Sequence, residues 1–89
     1  GVVSRETAEA MATAARERLE ANLAIGITGI AGNEEVEDQP PGTMHIALTD
    51  GDHIEYATSQ YYQGRDAAKK RASLMALTML RRYLMAETV

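Results

Sequence analysis

The run Leu23-Ala24-Ile25-Gly26-Ile27-Thr28 continues into Gly29-Ile30-Ala31-Gly32 without a single charged residue. Leu23, Ile25 and Ile27 fall on alternate positions, with the small Ala24 and Gly26 between them. Successive side chains of a strand point to opposite faces. One face of this segment is therefore bulky, the other is small, and neither is polar. Such a short run suits a strand covered on both faces, as in α/β sheets. The glycines that follow place a bend at its carboxyl end, which is the usual ligand side of such sheets.

The flanking segments supply the covering layers. Ser4 is a suitable helix N-cap, with Glu6 in the first turn where the helix dipole favours a carboxylate. Ala8, Met11, Ala12, Ala15 and Leu19 step by three and four, which predicts a helix over about 5–21, with Arg16 and Glu20 spaced to pair. Residues 33–42 are polar, acidic and rich in turn formers, and read as a long loop. Thr43 to Thr49 alternates, with Met44, Ile46 and Leu48 on one face and His45 and Ala47 on the other. Asp50-Gly51-Asp52 is a hairpin signal, and residues 53–60 alternate again. A turn centred on Gly51 would set His45 against Ala57 and His53 against Thr49. The chain is then helical over about 66–85, where Ala68, Ala72, Met75, Ala76, Met79, Leu80 and Tyr83 form a core stripe that Leu74, Leu77 and Leu84 widen beyond one face. The expected class is α/β, a layered α/β sandwich fragment in the order α-β-β-β-α, with the two helices either on one face of the sheet or one on each.

Eighty-nine residues make one small domain at most. A net charge of -4 argues against a general nucleic-acid binder. The absence of cysteine excludes a disulfide framework, a thiolate nucleophile and a zinc finger. No apolar run reaches the roughly 18 residues needed to cross a bilayer. With no secretory signal read at the start, the expectation is a cytoplasmic domain. The chain lacks Trp and Phe, and much of its apolar content is Ala and Met. Self-association or a missing companion segment is expected, because the first strand and the last helix read as apolar on more sides than this chain can cover.

Chemistry is concentrated in few places. Thr28 to Gly32 is the leading site, a hydroxyl followed by glycines that let a ligand approach the backbone amides. Gly29 and Gly32 fit neither the dinucleotide fingerprint nor the phosphate loop of nucleotide hydrolases. A metal site from His45 and His53 with Asp50 and Asp52 is a weaker alternative. Lys69, Lys70 and Arg71 form either a solvated face or an electropositive wall. The residues read by themselves give no complete catalytic set.

Several segments together resemble the CinA carboxy-terminal domain family, that of competence/damage-inducible protein A, whose stand-alone relatives are nicotinamide mononucleotide deamidases. Ser4-Arg5-Glu6-Thr7-Ala8-Glu9-Ala10-Met11-Ala12 is similar to the family's S-x-E-T-A-x-x-M-A helix opening. Thr28-Gly29-Ile30-Ala31-Gly32 resembles its T-G-I-A-G-P loop. Pro40-Pro41-Gly42-Thr43 with Ile46-Ala47-Leu48 resembles K-P-V-G-T-V-x-I-A-L, and Gly64-Arg65-Asp66 resembles a G-x-R helix start. The likeness covers residues 1–89 as the carboxy-terminal half of that domain. The family's first half carries an A-E-S-C-T-G-G loop with a serine nucleophile and a Y-S-N-x-x-K stretch, and neither motif occurs here. Asn33 stands where the motif has proline, Gln39 where it has lysine, and Asp66 where it has arginine.

The resemblance implies an amidohydrolase acting on a small-molecule nucleotide, with no cofactor and no metal. Thr28 would place a hydroxyl near the scissile carboxamide, and the backbone at Gly29, Ile30, Ala31 and Gly32 would hold substrate or its oxyanion. Gly42, Thr43 and Arg65 would complete the substrate-binding set, with Lys69, Lys70 or Arg65 meeting the phosphate. This chain alone is expected to be inactive. The alternative is a non-catalytic module of the same fold that binds a nucleotide or a protein.

Overall fold

A computed structural model describes residues 3–30 and 38–87. The order is α1 (Arg5–Arg18), β1 (Ala24–Gly29), β2 (Thr43–Thr49), β3 (Ile54–Gln60) and α2 (Arg65–Glu87), as the hydrophobic periodicity predicts. The three strands form one antiparallel sheet in the order β1-β2-β3. Helix α1 packs on one face through Ala8, Ala12 and Ala47, and α2 packs on the other through Met44, Ile46, Leu48, Ala72, Ala76 and Met79. Of the two helix placements the sequence allows, the molecule adopts one helix on each face, a helix–sheet–helix sandwich.

β1 is antiparallel to β2 and lies at the edge of this sheet. Its lack of polar alternation reflects α1 on one face and the margin of the α2 core on the other, where its side chains are partly buried. Leu23, Ile25 and Ile27 pack toward the α2 core. Gly26 lies under α1, so close that a Cβ there would meet the Ala8 carbonyl and sit 2.8 Å from the Ala12 nitrogen.

β2 matches its expected bounds and faces in full. The Ser4 cap is also in place, its Oγ accepting from the Thr7 amide at 3.1 Å. α1 stops three residues earlier than the periodicity suggests, with Leu19 as C-cap and Glu20 at φ 51. Beyond the helix end Glu20 no longer lies one turn from Arg16, whose guanidinium instead donates to the Asn22 carbonyl at 3.4 Å. The hairpin register is one residue later than a turn centred on Gly51 would give. His45 pairs with Thr58 rather than Ala57, and Thr49 pairs with Ile54 rather than His53. The cause is Asp50, whose Oδ1 accepts from the amides of Asp52 (2.9 Å) and His53 (2.8 Å) and so draws His53 into the loop.

Candidate functional site

Of the residues singled out in the sequence, Thr28, Gly29, Ile30, Gly42 and Thr43 lie together at one end of the sheet. Ile30 donates its N–H to the Thr43 carbonyl at 2.8 Å and accepts from the Gly42 N–H at 2.7 Å. Thr28 lies opposite His45, and Gly29 opposite Met44. The two segments that resemble family motifs are thus neighbours, joined by backbone bonds. Gly42 is fixed there twice over. Its φ of +82° favours glycine, and a Cβ would stand 2.8 Å from Cβ of Tyr62. The Tyr61–Gly64 segment then leads to Arg65, the exposed first residue of α2.

Strand alternation assigns the faces. Thr28 shares the parity of Gly26, so its side chain points to the α1 side together with His45. Arg65 opens the helix on the opposite face. Lys69, Lys70 and Arg71 are exposed on α2, and the Arg71 guanidinium lies 5.1 Å from the centre of the Tyr61 ring.

Some expected ligand-facing groups are committed within the protein. The Ile30 amide is bonded to Thr43 and its side chain is buried, so it ties the end of β1 to the Gly42–Thr43 segment rather than donating to an oxyanion. The Thr43 hydroxyl is buried and donates to the Pro40 carbonyl at 2.7 Å. Gly29 lies within β1 and does not supply the turn. A side chain there would collide with the Met44 sulfur and stand 2.6 Å from the Thr43 carbonyl oxygen. Ala31 and Gly32, like the acidic Glu34, Glu35 and Glu37, lie outside the described residues.

A polar chain that the sequence reading missed lies beside Thr28. His45 Nδ1 is 2.7 Å from the Tyr56 hydroxyl, and its Nε2 is 2.7 Å from Gln39 Oε1. Gln39 Nε2 donates to the Val3 carbonyl at 2.7 Å. The His45 and Tyr56 rings stack at 5.9 Å, and the Arg5 guanidinium lies 4.6 Å from the centre of the Tyr56 ring. Burial holds the imidazole below its ordinary pKa of 6.5, against a smaller opposing pull from Glu6. The signal for this cluster is the alternation itself, which sets His45 and Tyr56 on one face of adjacent strands; a register one residue off hides their proximity. His53 turns instead toward Asp50, with Nδ1 3.9 Å from Oδ1. Among the described residues no group of three metal-ligating side chains comes together, so the alternative metal site is not assembled there. No described helix is long and apolar enough to cross a membrane.

Comparison with known proteins agrees with this geometry. The family model "CinA C-terminal domain" matches residues 1–84. A CinA-like protein of Solibacter usitatus is 38% identical over 89 residues, which is 99% of this chain and 21% of that protein. Among solved structures, the competence/damage inducible protein CihA of Agrobacterium tumefaciens is 34% identical, with a TM-score of 0.84 over 92% of this chain and 52% of its own. A CinA superfamily protein of Klebsiella pneumoniae is 29% identical, with a TM-score of 0.88 over 96% of this chain and 54% of its own. The chain therefore spans about a fifth of that curated relative and about half of the solved chains. With both motif-bearing segments folded into one sheet end and the match running through nearly all its length, the chain belongs to the CinA C-terminal domain family.

Proposed function

We propose that residues 1–89 act as the carboxy-terminal half of a pyridine-nucleotide amidohydrolase domain that converts nicotinamide mononucleotide to nicotinate mononucleotide and ammonia. The observation that carries this reading is the pair of backbone bonds between Ile30 and the Gly42–Thr43 segment. They join Thr28–Ile30 to the Pro40–Thr43 segment at one sheet end. The nucleophile comes from the half of the domain to which this chain has no counterpart. It attacks the carboxamide carbon, ammonia departs, and water releases the acid. Thr28 contributes a hydrogen bond that orients the carboxamide or the attacking group, an interaction of the kind that lowers a barrier when it is set in advance. Gly42 and Thr43 form the rigid wall of the pocket. Arg65 opens α2 on the face opposite the Thr28 side chain, so its charge, with that of Lys69 or Lys70 one turn on, would meet the phosphate only around the sheet end.

The test is ammonia release from nicotinamide mononucleotide. This chain alone should give none. A chimera joining the unmatched half of the Agrobacterium tumefaciens relative to this chain should give steady turnover. An inactive chimera whose parent relative is active in the same assay removes the amidohydrolase reading and leaves the binding module.

A further inference from the structure

The hydrogen-bond directions around His45 are fully determined. The Val3 carbonyl can only accept, so the Gln39 amide nitrogen faces it and Oε1 faces the imidazole. His45 Nε2 must then carry a hydrogen. The neutral ring therefore presents a lone pair at Nδ1, and the Tyr56 hydroxyl donates to it. One polar chain runs from Tyr56 through His45 and Gln39 to Val3, and it ties β3, β2, the segment before β2 and the lead-in to α1.

Gln39 is the anchor of the tight turn that follows. The Pro40 carbonyl accepts from both the amide (3.2 Å) and the hydroxyl (2.7 Å) of Thr43, and Gly42 reaches Ile30 from within that turn. A side chain that fixes Gln39 therefore fixes the entrance to the turn. Gln39 also stands where the family motif has lysine, and a lysine has no atom to accept from Nε2–H.

We propose that His45, as the neutral Nε2–H imidazole, is a positioning residue that clasps Gln39 and thereby holds Gly42 and Thr43 against Ile30. That the clasped turn borders a substrate pocket rests on the amidohydrolase reading; the clasp itself does not.

The experiment is amide hydrogen exchange and ring 15N spectroscopy on this chain, with three variants. The wild type should show the Nε2–H tautomer. His45→Phe keeps a ring against Tyr56 but loses both bonds, and should speed exchange at Gly42 and Ile30 about tenfold or more while leaving Ile46 and Ala47 within about twofold. His45→Gln offers one donor and one acceptor, and should restore protection at Gly42 and Ile30. Gln39→Leu, which can neither donate to nor accept from the imidazole, should match His45→Phe. The proposal is overturned by an Nδ1–H tautomer, by unchanged Gly42 and Ile30 exchange in His45→Phe, or by His45→Gln failing to restore protection while Ile46 and Ala47 stay protected. If His45→Phe does not fold, Gln39→Leu and the tautomer decide. None of these readouts depends on turnover, so a failed clasp and a failed amidohydrolase reading give separate results.

Discussion

Gly26 is the residue at which sequence and packing are most tightly coupled. α1 crosses β1 at this point, and the space for a side chain is already filled by helix backbone at Ala8 and Ala12. A rigid backbone cannot yield as a flexible side chain would. Gly26→Ala should therefore destabilise the chain by about 1–3 kcal/mol, the usual range for overpacking, measured as a lower urea midpoint at unchanged slope. Ser4→Ala removes the acceptor for the Thr7 amide. It should cost about 1 kcal/mol in the same measurement. Both residues are legible from the sequence alone, Ser4 from its position and Gly26 from sharing a strand face with the small Ala24. The role of Gly29 is not. Its glycine is demanded by Met44 and Thr43 on the adjacent strand, a long-range contact that local spacing cannot reveal.

Among the elements, β2 is the easiest to read because each of its faces meets a different helix and its alternation is unbroken. The end of α1 is harder, since no glycine marks it and Glu20 itself takes the left-handed conformation. The β2–β3 register departs from the expected one because the Asp50 side chain, rather than a two-residue turn, sets the loop length. A one-residue slip moves every pairing, and it conceals the His45–Tyr56–Gln39 chain. That chain predicts a pH effect. The His45 pKa lies below 6.5 in the fold, first because burial disfavours the charged ring. The unfolded state therefore binds more protons, so this contribution is present above 6.5 and is lost as pH falls through the folded value. The urea midpoint should fall from about pH 7.5 to about pH 5.5, and His45→Gln should flatten that part of the profile. The Asp50 carboxylate is held below 3.8 chiefly by the His53 amide, with the Asp52 amide and Tyr83 hydroxyl assisting, so its loss belongs to more acidic solutions.

At the scale of the molecule, α2 is the least self-contained part. A helix of 23 residues is about 34 Å long, against about 24 Å for the seven-residue β2 it covers. Leu74, Leu77, Leu84 and Met85 are exposed along it. Leu74, Leu77 and Leu84 are legible as a stripe too broad for one face. Their use is not, because a single chain carries no record of what lies against it. Leu77 is 60% exposed. Leu77→Glu should therefore shift the stability of the isolated chain by no more than about 0.5 kcal/mol, by urea titration.

The central claim is that the sheet end around Thr28 is half of an active site. Its most direct measurement is the rate of ammonia release from nicotinamide mononucleotide by the chimera described above, with Thr28 and with Thr28→Ala. Turnover is expected with threonine and a loss of about tenfold or more with alanine, the scale of roughly 1.4 kcal/mol in the barrier, with both proteins folded under the assay conditions. Equal rates from the two folded proteins would contradict that claim.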